Sequence, residues 1–156
     1  MAFEIVLMPA MLLIGPHLTT MFQNQGNVIP PFWQRFHEEQ MYLKIPNQAT
    51  PGVVLGLYTN YSPDFSTNSG TYDLIAGCPV STGSNIPAGM VAKEIPAGKY
   101  AVFTARGPFY PAIFNVWMEV WQTPGLERTF ANDFEWYGPE STGDENSMVK
   151  VYIGIK

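Results

Sequence analysis

The residues best suited to chemistry lie in one short stretch, Phe134-Glu135-Trp136-Tyr137. It sets a single carboxylate among aromatic rings. In a β-strand, side chains alternate between two faces. Glu135 and Tyr137 then share one face, and Phe134 and Trp136 share the other. An ionised carboxylate is costly to bury unless something pairs with it. A ligand can be that partner, which makes Glu135 a candidate recognition or catalytic group. The same residues also suit a surface strand with a solvated glutamate, and the local sequence leaves both readings open.

Composition narrows the chemistry around that acid. The chain has 156 residues, enough for one domain with a sizeable core or two small modules sharing one. Charged residues are 13% of the chain, about half the usual share. Aromatic residues reach 14%, and the hydrophobic fraction, 46%, is ordinary. Few charges and many rings suit either a ring-lined apolar pocket or a large aromatic core. The formal charge is −5, and the eight Lys and Arg are scattered from Arg35 to Lys156. Such a surface repels phosphate backbones, so no direct nucleic-acid binding is expected.

Other chemistries find little support. Cys78 is the lone cysteine, which excludes an internal disulfide and fits a reducing compartment. It lies in the apolar run Leu74-Ile75-Ala76-Gly77-Cys78 and is expected to be a buried small hydrophobe rather than a nucleophile. His17 and His37 are the two histidines, and no metal-ligand spacing includes them, so no metal is expected. No phosphate-binding loop, dinucleotide fingerprint or nucleophile elbow occurs, and no cofactor is expected. The apolar stretch 2–14 lacks a basic opening, is interrupted by Glu4 and Pro9, and is too short to span a bilayer. It is expected to be a strand, and the protein to be cytoplasmic with no membrane partner.

The elements that must position Glu135 follow from periodicity and punctuation. Strands are expected over residues 3–8, 11–18, 53–59, 72–80, 90–95, 100–106, 133–137 and 148–156. A first helix is expected from Pro30-Pro31 to about Leu43, with Ile29, Phe32, Trp33 and Phe36 on its apolar face. A second is expected to start near Pro111, to carry Ile113, Phe114, Trp117, Val120 and Trp121 at helical spacing, and to be closed by Gly125. Strands outnumber helices, which predicts an α+β fold with a largely antiparallel sheet and helices on one side. Residues 62–70, 81–89 and 139–147 are polar surface loops, and none is a linker between domains. The halves also look alike: Met8-Pro9-Ala10 and Ile95-Pro96-Ala97 each open an apolar run, and Ile75-Ala76-Gly77-Cys78 matches Tyr152-Ile153-Gly154-Ile155. One domain over 1–156 is expected, with an internal repeat spanning approximately 1–82 and 88–156.

In its order of phrases the chain resembles the gyrase-inhibitor-like small-molecule-binding family, which also serves as the effector-binding domain of AraC-type and MerR-type transcription regulators. The phrases are Phe32-Trp33-Gln34-Arg35-Phe36, Gly56-Leu57-Tyr58, Tyr72-Asp73-Leu74-Ile75-Ala76-Gly77, Ile95-Pro96-Ala97-Gly98-Lys99-Tyr100, Gly107-Pro108, Phe134-Glu135-Trp136-Tyr137 and Val151-Tyr152-Ile153-Gly154-Ile155. The resemblance implies two strand–helix–strand–strand modules with pseudo-twofold symmetry around a central ligand cleft. It implies that Glu135 is the acid of that cleft, with Tyr137 beside it. Tyr58 is then the opposite wall, and Trp33, Trp117 and Trp121 are ligand-binding candidates on the helices. With a first strand at Phe3 there is no room for a preceding DNA-binding region, so a stand-alone module is expected.

Three functions fit that picture. The first is a binding module for a cationic or aromatic small molecule. The second is a hydrolase of strained cyclopropane-containing compounds, with Glu135 positioning or activating water and Tyr137 assisting. The third is an interaction protein that inhibits a DNA-handling enzyme through its surface; the sequence specifies no protein partner, and the acidic loop 140–145 suits any solvated segment.

Overall fold

A computed structural model describes residues 3–156. Met1 and Ala2, the latter opening the apolar stretch, lie outside the described residues. In chain order the elements are β1 (Phe3–Met8), β2 (Met11–Gly15), β3 (His17–Thr20), α1 (Gln25–Glu38), β4 (Val54–Thr59), β5 (Tyr72–Val80), β6 (Val91–Ile95), β7 (Gly98–Arg106), α2 (Phe109–Gln122), β8 (Arg128–Tyr137) and β9 (Met148–Ile155). The strands form one antiparallel nine-stranded sheet in the order β1-β7-β9-β8-β4-β5-β2-β6, with β3 also beside β5. The fold is α+β, as the excess of strands predicts.

The sheet order has a two-fold pattern. β4 and β8 meet at the centre; β5 and β9 flank them; β2 with β3, and β7, come next. Each half of the chain then sends its opening strand to the far edge of the other half: β1 pairs with β7, and β6 pairs with β2. The bends that allow this fall at Pro9-Ala10 and Pro96-Ala97, where a proline without an N–H cannot extend a ladder.

Several boundaries differ from the sequence expectation. The strand expected over 11–18 is split at Pro16 into β2 and β3. The strand expected over 133–137 begins five residues earlier, at Arg128, and its pairing with β9 shifts register between Arg128 and Asp133. A bulged segment has no clean alternation to reveal it. Helix α1 starts at Gln25 rather than at Pro30 and stops at Glu38, with a separate 3₁₀ turn over Met41–Lys44 after left-handed Gln40. Pro30 and Pro31 are therefore inside the helix, yet the carbonyls they orphan belong to the first turn, Gly26 and Asn27, where the ladder is easily opened. Helix α2 starts at Phe109, so Pro111 falls within a first turn whose N–H groups have no intrahelical partner anyway. It ends at Gln122, and Gly125 (φ 71°) turns the chain beyond the helix rather than capping it.

Two cores hold the sheet. On the helix side Ala112, Val116 and Val120 of α2 pack on Ala101, Phe103, Val151 and Ile153 of β7 and β9. On the other side Leu55, Leu57, Tyr100, Val102 and Phe134 bury against Leu13 and Ile95 from the strands near one edge. Phe114, placed with the apolar stripe of α2 by periodicity, is instead 54% exposed, because the buried stripe is Ala112-Val116-Val120. Cys78 is buried among Ile14, Ile45 and Val80, and burial pushes its thiol up to about 11, which suits an inert packing residue. Helix α2 rests on β7 and β9, and α1 touches the sheet chiefly at β3. The central strands β4 and β8 are left without a helix directly on them, and a cavity forms there.

Candidate functional site

Alternation along β8 puts Asp133, Glu135 and Tyr137 on the face that looks toward the helices, while Phe134 and Trp136 join the core behind. Opposite Glu135 on β4 stands Gly56, and Tyr58 follows two residues on, on the same face. A Cβ at position 56 would lie 2.8 Å from Trp33 Cζ2 and 3.2 Å from Glu135 Oε1. The absent side chain is what lets the Trp33 indole descend from α1 to the sheet beside the carboxylate.

Above these residues is a cavity of about 760 Å³, bounded by α1, α2 and the central strands. All six residues singled out from the sequence border it: Trp33, Tyr58, Trp117, Trp121, Glu135 and Tyr137. Trp33 meets Tyr137 edge-on at 5.5 Å between ring centroids, and Tyr58 meets Trp117 edge-on at 5.2 Å. Trp121 lies farther along α2, 6.0 Å from Phe130 and 5.8 Å from Phe22, and is not one of the three donors to Glu135. The mouth is apolar: Phe109, Tyr110, Phe114 and Met118 of α2 stand exposed along it.

Glu135 is 2% exposed. Its Oε2 accepts hydrogen bonds from the Tyr58 hydroxyl at 3.0 Å and the Trp117 indole N–H at 2.8 Å. Its Oε1 accepts one from the Tyr137 hydroxyl at 2.7 Å. Among the described residues no basic side chain forms an ion pair with it. Burial raises its pKa above the ordinary carboxylate value, and the bonds from Tyr137, Trp117 and Tyr58 oppose that rise. Burial and the neighbouring carboxylate push the Tyr58 and Tyr137 hydroxyls well above their usual range, so both remain donors. The result is a sheltered acid held by neutral donors, in a cavity whose walls are aromatic faces.

A second polar group was not legible in the sequence. Arg128, at the start of β8, pairs with buried Asp133 at 2.8 Å. Asp133 also accepts from the Tyr61 hydroxyl at 2.6 Å and the Gly154 N–H at 2.8 Å. Tyr61, Phe65 and Tyr72 complete this end of the cavity. The alternation Asp133-Glu135-Tyr137 would have placed Asp133 on the cavity face. Nothing local marks Arg128 or the loop residue Tyr61, because their placement depends on a register shift and on a loop meeting β8.

A sheet with two helices over an apolar, ring-lined cavity is the architecture of an effector-binding domain. The match to known proteins is specific: residues 4–155 fit the Cass2 family, integron-associated effector binding proteins, and the chain belongs to that family. Its relatives include YobU of Bacillus subtilis, named as a candidate transcriptional regulator, 28% identical over 130 residues that make up 82% of this chain and 79% of YobU. The transcriptional regulator BrlR of Pseudomonas aeruginosa is 33% identical over 135 residues, 83% of this chain but 47% of BrlR, so the chain spans about half the length of that relative. Among solved structures, SAV2435 bound to tetraphenylphosphonium superposes with a TM-score of 0.82 at 21% identity, covering 100% of this chain and 94% of that one. An integron cassette protein from Vibrio cholerae gives a TM-score of 0.73 at 25% identity, over 99% of this chain and 95% of that one. The resemblance to the gyrase-inhibitor-like family is upheld, and so is its fold. Among the described residues no helix is long and apolar enough to cross a membrane.

Proposed function

We propose that the protein binds a lipophilic organic cation in this cavity, with Glu135 as its counter-charge and Trp33, Tyr58, Trp117, Trp121 and Tyr137 as its aromatic walls. One observation carries the reading: Glu135 is buried, is held by three neutral donors and has no cationic partner among the described residues. A buried charge that nothing neutralises is unfavourable, and a bound cation removes that cost. The rings add apolar area and attract a cation to their faces. Tetraphenylphosphonium, bound in the structure of SAV2435, is a suitable probe. Titration of tetraphenylphosphonium into wild type and Glu135→Gln tests the reading, and the variant should bind at least about tenfold more weakly. Equal affinities would remove the carboxylate from recognition. The matching halves of the sheet fit an internal duplication, with the cavity at the junction of the two copies.

A second reading rests on the free capacity of Glu135 Oε1, which has one donor where Oε2 has two. That oxygen could take a proton from a water whose oxygen attacks a ring carbon of an electrophilic cyclopropane. The strained C–C bond breaks, its electron pair passes to the carbon bearing the electron-withdrawing substituent, and the proton on Glu135 is returned to that carbon. The raised pKa makes Glu135 a stronger base than an ordinary carboxylate. Product formation from such a substrate, lost in Glu135→Gln, is the result this reading requires. Tight binding of the substrate without turnover would leave the binding function alone.

A further inference from the structure

Arg128 has hydrogen-bonding capacity that no described residue uses. Its side chain is 7% exposed, and Nη2 donates to Asp133 Oδ2 at 2.8 Å. Its Nε and Nη1 atoms are buried with no hydrogen-bond partner among the described residues. Buried donors on a charged group are normally satisfied, and those left over call for an explanation. Aromatic faces cover the guanidinium: Phe130 at 4.2 Å, Trp121 at 4.7 Å and Trp117 at 5.9 Å from Cζ to ring centroid. Phe130 and Trp121 are themselves only half-buried.

The backbone supports a functional placement. Glu127 and Phe130, on either side of Arg128, both sit at positive φ, 54° and 52°. The β8–β9 register shifts in the same segment. Non-glycine residues held in this conformation beside a bulge are typical of strand ends shaped for a site. Arg128 borders the same cavity as Glu135, and the Trp117 indole stands between them: its N–H donates to Glu135 and its face lies toward the guanidinium.

We infer that Arg128 forms an acceptor-recognising subsite, so that the preferred ligand carries a hydrogen-bond acceptor about one aromatic ring away from its cationic centre. This rests on the cation reading for Glu135 and adds a specificity determinant to it. Asp133 already balances the Arg128 charge, so the subsite suits a neutral acceptor such as a carbonyl. To reach Nε and Nη1 the acceptor displaces the edge of Phe130 or Trp121.

The test uses two phosphonium cations of nearly the same shape, (4-acetylphenyl)triphenylphosphonium and (4-isopropenylphenyl)triphenylphosphonium. They differ in one carbonyl oxygen. Wild type should bind the acetyl compound about tenfold more tightly, the discrimination expected of a hydrogen bond to a charged group. Arg128→Lys keeps a charge for Asp133 but removes the guanidinium fork, and the ratio should fall to about one while isopropenyl binding persists. If Arg128→Lys does not fold, the charge-free pair Arg128→Met with Asp133→Asn should give the same ratio. A wild-type ratio near one, a preference that survives both replacements, or failure of both cations to bind overturns the proposal. The Glu135 reading is judged separately, by whether Glu135→Gln weakens both cations alike.

Discussion

Trp117 on α2 donates its indole N–H to Glu135 on β8 at 2.8 Å, and this bond ties helix to sheet across the wall of the cavity. Together with Tyr58 and Tyr137 it holds a buried carboxylate that has no counter-ion among the described residues. If the cavity takes a cation as proposed, these bonds hold the carboxylate in place before the ligand arrives, which limits the cost of ordering on binding.

Trp117→Phe should isolate that bond, because it keeps most of the ring and deletes the donor. Losing one donor to a buried carboxylate should cost about 1–3 kcal/mol of stability at neutral pH. The cost should shrink in acid, where Glu135 is protonated and the lost bond matters less. Urea unfolding at two pH values measures this, and a loss independent of pH would assign the effect to packing instead.

Cation binding should depend on pH through Glu135. Its pKa in the free protein is raised, chiefly by burial. A bound cation stabilises the charged form, so affinity should fall as pH drops through the raised pKa, and binding at a pH near that pKa should release a proton. Calorimetry in buffers of different ionisation heat detects that release. The sign for stability is opposite: a raised acid pKa favours folding below the unfolded value, and this contribution is lost as pH rises through the folded value. Relative to Glu135→Gln, the wild type should therefore lose stability as pH rises from acid toward neutral.

Gly56→Ala should narrow the site from below. The new methyl would come within 2.8 Å of Trp33, and the indole must move. Overpacking of this kind costs about 1–3 kcal/mol. Affinity for tetraphenylphosphonium should fall by more than affinity for a small cation such as tetramethylammonium, as paired titrations would reveal. An equal change for both would mean that Trp33 does not set the width of the site.

Asp133→Asn should leave Arg128 buried without its counter-charge. Breaking a buried ion pair from one side typically costs about 3–5 kcal/mol. The midpoint of urea unfolding should drop accordingly. A drop as small as that of an exposed pair such as Arg35–Glu39 would mean that the aromatic faces alone satisfy the guanidinium.

The class of fold, most strands and the face on which Glu135 lies were legible from the chain's local pattern. Those depend on local alternation and on punctuation by proline and glycine, and alternation along β8 is enough to join Glu135 to Tyr137 and part them from Phe134 and Trp136. Family phrases then drew Tyr58 and Trp33 toward one cleft, and helical spacing put Trp117 and Trp121 on a face that could roof it. Only packing across the fold settles that Gly56 makes room for Trp33, that Trp117 rather than Trp33 or Trp121 bonds the acid, and that Phe114 faces out. It alone placed Arg128 against Asp133 and the rings. These relations join residues distant in the chain, or follow from a shifted register, and no local pattern encodes them. Whether a carboxylate is solvated or sheltered is likewise a property of what packs above it, here two helices that leave the centre of the sheet open.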